Sequence, residues 1–166
     1  MGRLGEVSEA VIAGDTMRAR RTLNVLIVED EALAAVDLEV SLEACGHRIA
    51  GVAANSREAF DISARSKVDV ALVDLNLTDG SSGASLARVL ARAHGVGVIF
   101  VTGNPDQIPD DFCGALGVVA KPYDMASLGE VLKFADELTR TLTHRPRAVR
   151  LAPCLEGLAR APVPAI

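Results

Sequence analysis

Residues 71–80 read ALVDLNLTDG, and the acid inside this stretch is what needs an explanation. Val70, Ala71, Leu72 and Val73 make an apolar run of strand length with no polar alternation, the pattern of a strand covered on both faces. The run ends in Asp74. An ionised carboxylate at the end of a buried strand is costly unless a cation or hydrogen-bond donors compensate it, so partners must come from elsewhere in the chain.

Four more runs resemble the one spanning VDVALV (68–73): LNVLIV (23–28), RIAGVA (48–53), VGVIFV (96–101) and LGVVA (116–120). Helical patterns lie between them. Leu33, Val36, Val40 and Ala44 recur at three- and four-residue spacing and predict a helix that buries this face, with Gly46 as its stop. Asn55 followed by Glu58 marks a helix start, for a segment ending near Ser66. Residues 83–93 and a shorter stretch near 105–114 supply two further helices. Asp124 caps a last one whose apolar face is Leu128, Val131, Leu132, Ala135 and Leu138. The order βαβαβαβαβα implies a doubly wound five-stranded parallel sheet with helices on both faces.

The 166 residues, 49% of them hydrophobic, suffice for one domain. We expect it over 22–139, with an N-terminal extension (1–21) and a C-terminal tail (140–166). The stretch 143–166 holds four of the seven prolines and four arginines, with a helical turn expected around Leu155 to Arg160. A second possible start, Met17, precedes Arg18, Arg20 and Arg21. The net charge of −5 argues against a nucleic-acid surface, which needs clustered Lys and Arg. No run of 18 apolar residues and no signal-peptide core occur, so a soluble cytoplasmic protein without membrane contact is expected. Cys45, Cys113 and Cys154 lack metal-ligand spacing and read as reduced thiols. His47 and His94 fall at expected element ends, and His144 in the tail.

In a doubly wound sheet the functional crevice lies beyond the carboxyl ends of the strands. Glu29 and Asp30 stand at the end of the first strand, Asp74 at the third, Thr102 at the fourth and Lys121 at the fifth. Singly, each has a plain structural role: the acids complement a helix dipole, Thr102 ends a strand, Lys121-Pro122 makes a turn. Jointly, three carboxylates need a cation between them. Mg²⁺ suits oxygen ligands and phosphate, Lys121 offers a compact charge, and a carboxylate can accept a phosphoryl group.

The stretch from about Leu23 to Leu138 resembles the receiver domain of two-component response regulators, through VLIVEDE, ALVDLNLTDG, VIFVTG and VVAKPYD in that order. The resemblance implies the flavodoxin-like (βα)5 fold. It implies Asp74 as phosphoacceptor, a Mg²⁺ site of Glu29, Asp30, Asp74 and the main-chain carbonyl of Asn76, Thr102 as the switching hydroxyl, Lys121 as the phosphoryl-contacting cation, and a cis bond before Pro122. Two positions depart from it. Val118 stands where an aromatic switch residue is usual, and Thr78 replaces a frequent proline, which predicts a looser loop. Phe100 to Gly103, FVTG, is similar to the core of the FATGUY subset, although Val101 and Asn104-Pro105 differ from that pattern.

The implied function is a single-domain response regulator in a phosphorelay. Asp74 takes a phosphoryl group from a histidine kinase or histidine phosphotransfer protein, and output goes to an unknown protein target through the segment near 105–114, the fifth strand and the last helix. Enzymatic activity is limited to self-phosphorylation and self-dephosphorylation. One alternative is a haloacid dehalogenase-type phosphohydrolase, whose signature Asp74-Leu75-Asn76-Leu77-Thr78 approaches, but Asn76 cannot be the general acid. Another is a degenerate receiver that binds a partner constitutively.

Overall fold

In the computed structural model, which describes residues 21–78 and 82–143 with side chains as far as 138, the apolar runs become one parallel sheet. Its strands are β1 (Asn24–Val28), β2 (Arg48–Ala53), β3 (Val70–Val73), β4 (Gly97–Thr102) and β5 (Gly117–Ala120), in the order β2-β1-β3-β4-β5. All four neighbouring pairs are parallel. Successive side chains of a strand point to opposite faces, and both faces here are covered. Leu26, Val28, Ala71, Val73, Val98 and Phe100 face one apolar cluster; Val25, Ile27, Val70, Leu72, Ile99 and Val101 face another. Two-sided burial explains why these strands read as continuous apolar runs.

The helices are α1 (Ala32–Ala44), α2 (Ser56–Arg65), α3 (Gly83–Ala93) and α4 (Met125–Thr143). Their ends follow local chemistry. The Asn55 side chain accepts from the Glu58 amide at 3.0 Å, and Glu58 accepts from the Ala54 amide at 2.8 Å, which satisfies two donors that a helix start leaves open. Asp124 accepts from the Ser127 amide at 2.8 Å. The expected apolar face of α4, Leu128 to Leu138, is buried throughout. Gly46, with φ +82°, follows α1 in the left-handed conformation that glycine allows.

Two expectations are corrected. The α1 face named from the sequence points to solvent: Leu33 is 80%, Val36 54% and Val40 62% exposed, while Ala35, Leu38, Ser41 and Leu42 are buried. ALAAVDLEVSLEA carries apolar residues all round, and Ala35, Leu38 and Leu42 have the same helical spacing as the chosen set, so periodicity alone could not select the face. The segment near 105–114 is not an α-helix. It holds two 3₁₀ turns, Pro105–Gln107 and Phe112–Gly114. Pro109, four residues after Pro105, has no N–H to give the Pro105 carbonyl and would collide with it in a helix.

The extension, apart from Arg21, lies outside the described residues, as do the tail beyond 143, the turn expected around Leu155 to Arg160, Cys154 and His144. Arg21 itself pairs with Asp69.

Candidate functional site

The sheet order reverses at β1: the chain passes from β1 to β2 on one side and returns to β3 on the other. The loops leaving β1 and β3 therefore diverge, which opens a crevice at their carboxyl ends. Sheet hydrogen bonds bring the acids to it. Asp74 N–H donates to the Val28 carbonyl at 2.9 Å and Glu29 N–H to the Ala53 carbonyl at 3.0 Å. Lys121 enters from β5, its N–H held by the Thr102 carbonyl at 2.8 Å, and the Lys121–Pro122 peptide is cis.

Lys121 Nζ donates to Glu29 Oε2 at 2.6 Å and to Asp74 Oδ2 at 2.7 Å. These are short charge-assisted bonds in a site where the Glu29 side chain is 2% and that of Asp74 12% exposed. Burial pushes the Glu29 carboxyl above its ordinary value, and the bond to Lys121 only partly offsets this. Burial pulls the Lys121 ammonium down, but the hydrogen bonds and charges of Asp74 and Glu29 outweigh it and hold the pKa above the ordinary lysine value. The second oxygens are also used: Glu29 Oε1 accepts from the Glu31 amide at 3.3 Å, and Asp74 Oδ1 from the Asn76 amide at 3.0 Å.

Glu29, Asp74 and Lys121 are thus in direct contact. Asp30 turns instead to the Thr78 amide at 3.0 Å, and hydrogen bonds from Thr78 hold its carboxyl below the usual range. A proline at this position would have no amide to give Asp30. Thr102 is completely buried and its Oγ1 accepts from the Asn104 amide at 3.0 Å. Among the described residues no group of three or more His, Cys, Asp or Glu side chains is arranged to hold a metal ion; Lys121 lies between two of the expected ligands.

Sequence reasoning missed two supports. Tyr123 donates to Asp37 Oδ2 at 3.1 Å and ties the segment after Lys121 to α1. Gly83 opens α3 directly against the end of β3: a Cβ there would lie 2.1 Å from the Asp74 carbonyl oxygen. The only signal for Gly83 was a glycine at a helix start, which has commoner explanations.

The response regulator receiver domain model matches residues 25–133. The chain belongs to that family. The receiver is 36% identical over 125 residues to the phyllosphere-induced regulator PhyR of Methylorubrum extorquens, covering 74% of this chain and 47% of that protein. It is 32% identical to the TorCAD operon regulator TorR of Escherichia coli, covering 63% and 46%. Among solved structures it is similar to the receiver domain of Erythrobacter litoralis PhyR, with TM-score 0.66, 32% identity and 77% and 97% coverage. It is also similar to the anti-anti-sigma factor PhyR of Bartonella quintana, with TM-score 0.67, 26% identity and 75% and 51% coverage. The chain spans about half the length of the curated relatives it matches. As a receiver it is a regulatory signalling domain whose output depends on phosphorylation, which leaves the phosphohydrolase alternative without support. Among the described residues no helix is long and apolar enough to cross a membrane.

Proposed function

We propose that Asp74 is the phosphoacceptor of this receiver, that the phosphoryl donor is a phosphohistidine of a histidine kinase or histidine phosphotransfer protein, and that the phosphorylated domain signals by binding a protein partner or by passing the group on. The observation that carries this reading is the Lys121 ammonium bonded at once to Glu29 and Asp74. An Asp74 oxygen attacks phosphorus, an O–P bond forms as the P–N bond breaks, and the donor imidazole leaves with the electron pair. Lys121 then follows the charge from the carboxylate to the phosphoryl oxygens, and the Thr102 hydroxyl exchanges its Asn104 bond for one of them.

The donor set of Glu29, Asp30, Asp74 and the Asn76 carbonyl consists entirely of oxygens and suits Mg²⁺, which takes few protein ligands alongside phosphate oxygens. When bound, the ion supplies positive charge against the transferring phosphoryl group. The exposed Leu33, Val36 and Val40 of α1 begin four residues after Glu29 and offer the donor an apolar surface beside the pocket. Likeness to an anti-anti-sigma factor makes a protein of sigma-factor control the first partner to try. Any self-dephosphorylation uses the same pocket, and a cytoplasmic location fits a kinase partner.

The test is incubation with Mg²⁺ and a small acyl phosphate, followed by intact-mass measurement. One added phosphoryl group is expected, absent in Asp74→Asn. A product that survives this substitution, or no product at all, overturns the assignment. Partner affinity that ignores phosphorylation would instead favour the constitutive binding module, for which Val118 in place of an aromatic is the motivating observation.

A further inference from the structure

The outer face of α1 is apolar along its middle and acidic at its edge. Leu33, Val36 and Val40 stand in water. Glu39 and Glu43 follow Val36 and Val40 by three residues, so each acid adjoins the stripe on the helix surface. The helix carries Asp37, Glu39 and Glu43 and no Lys or Arg. Asp37 takes the Tyr123 hydroxyl, whereas among the described residues Glu39 and Glu43 pair with no cation. An exposed apolar stripe bordered by unpaired acids fits a segment that is both apolar and basic.

Residues 144–166 have that composition. HRPRAVRLAPCLEGLARAPVPAI sets Arg145, Arg147, Arg150 and Arg160 against Glu156 alone and includes Leu151, Leu155 and Leu158. Residues 1–20 lack it, because Glu6, Glu9 and Asp15 offset Arg3, Arg18 and Arg20. A second copy of the chain fits badly too: in a symmetric pair the stripe would meet itself and bring the same acids face to face. The distance is short enough for the tail. α1 and α4 lie side by side, sharing the cluster of Leu38, Leu42, Leu128 and Leu132, and a Cβ on Gly129 would lie 3.9 Å from Cys45 Sγ. From Gly129, α4 continues to Thr143, about 21 Å at the helical rise, and α1 returns from Cys45 to Val36 in about 14 Å. The whole path is therefore about 40 Å at most, while residues 144–166 in extended form span about 75 Å. Leu155 and the residues after it reach the stripe.

We propose that the outer face of α1 binds the chain's own residues 144–166, with Leu155 and Leu158 against Val36 and Val40 and the arginines against Glu39 and Glu43. A tethered segment has an effective concentration on the order of mM, so contacts too weak to hold a separate peptide suffice. The same stripe is the surface offered above to the phosphodonor, so the segment and the donor exclude each other. That exclusion rests on the proposed function; the docking itself does not. Phosphorylation by a small acyl phosphate, which needs no docking surface, is untouched by the segment.

The test attaches a nitroxide to Cys154 of the ¹⁵N-labelled full chain, with Cys45→Ser and with Cys113 completely buried, and reads amide intensities. The α1 amides from Leu33 to Glu43 are expected to lose intensity, while those of α2 and α3, which pack on the opposite face of the sheet, keep it. Arg150→Glu with Arg160→Glu should abolish the loss. Adding Glu39→Arg with Glu43→Arg to that variant should restore it, and about 1 M salt, where the screening length is about 3 Å, should weaken it. Thermal unfolding verifies that the variants fold. If Cys45→Ser does not, the chemical shifts of the same α1 amides in the full chain, with and without the two arginine changes, carry the test. No loss at α1, or a loss that survives the arginine changes, overturns the proposal. A loss at α1 when ¹⁵N chains without nitroxide are mixed with nitroxide-bearing unlabelled chains assigns the stripe to a second copy and overturns it as well. Asp74→Asn should give the same intensities as Asp74, so failure of the docking leaves the phosphoacceptor standing, and failure of phosphorylation leaves the docking standing.

Discussion

Removing the Lys121 ammonium would leave Glu29, nearly inaccessible to water, beside Asp74 with only the Glu31 amide as donor. Breaking one side of a buried charge pair costs more than the pair contributes when intact, because the remaining charge stays desolvated. Lys121→Met is therefore expected to lose about 3 kcal/mol in urea unfolding at pH 7.5. The deficit should shrink on acidification: the folded Glu29 pKa is already raised by burial and rises further without Lys121, so below it Glu29 takes a proton and the uncompensated charge vanishes. A deficit independent of pH would mean that Glu29 is not the group left stranded. The sequence already pointed to these charges, because acids and a lysine at strand ends are visible as text. It could not say that Lys121 bonds Glu29 and Asp74 while Asp30 turns to Thr78, since those choices depend on loop paths between residues 47 or more apart.

Among elements, α1 has two competing apolar faces and the sheet takes one of them. Leu38 and Leu42 fill the cluster against β1, β3 and α4, which leaves Leu33, Val36 and Val40 in water. If that stripe seats the phosphodonor, Leu33→Ser with Val36→Ser should slow transfer from the cognate phosphohistidine protein about tenfold, yet leave the rate with a small acyl phosphate and the melting temperature nearly unchanged. Equal slowing with both donors would place the effect in the pocket.

The N-terminal ends of β1 and β3 are joined by Asp69, which accepts from the Asn24 amide at 2.9 Å and the Asn24 side chain at 2.8 Å and also pairs with Arg21. Burial pushes the Asp69 carboxyl up, but these donors, with Lys67, outweigh it and hold the pKa below the ordinary 3.8. A depressed folded pKa adds stability above the unfolded value that is lost as pH falls through the folded one. Asp69→Ala should thus cost about 2 kcal/mol near neutrality, and its gap from the wild type should close below about pH 4 in unfolding titrations.

At the scale of the molecule, five strands share two apolar clusters, one on each face, and nothing divides the sheet into separately packed parts. A chain cut to residues 21–143, which keeps Arg21 on Asp69, is expected to unfold in one cooperative transition and to accept a phosphoryl group at the rate of the full chain. Two separated transitions in calorimetry would show a core divided between the faces. A slower rate would assign the removed segments a part in the pocket.

By itself the sequence determined the strands, the last three helices with the caps Asn55 and Asp124, and the acids and lysine at the strand ends. Each is set by neighbours a few residues away: two-sided burial, a side chain answering a free amide, a proline or glycine at a stop. Only the tertiary structure decided which face of α1 is buried, that Pro109 leaves 105–114 as two turns of which the second is tied to Arg88 through Asp111, and that Gly83 must be small to seat α3 under Asp74. Those outcomes depend on what the folded sheet brings near, and no local pattern carries that information. For ALVDLNLTDG the division falls inside one stretch: the apolar run and its terminal acid were written locally, while the ammonium that compensates Asp74 comes from 47 residues away.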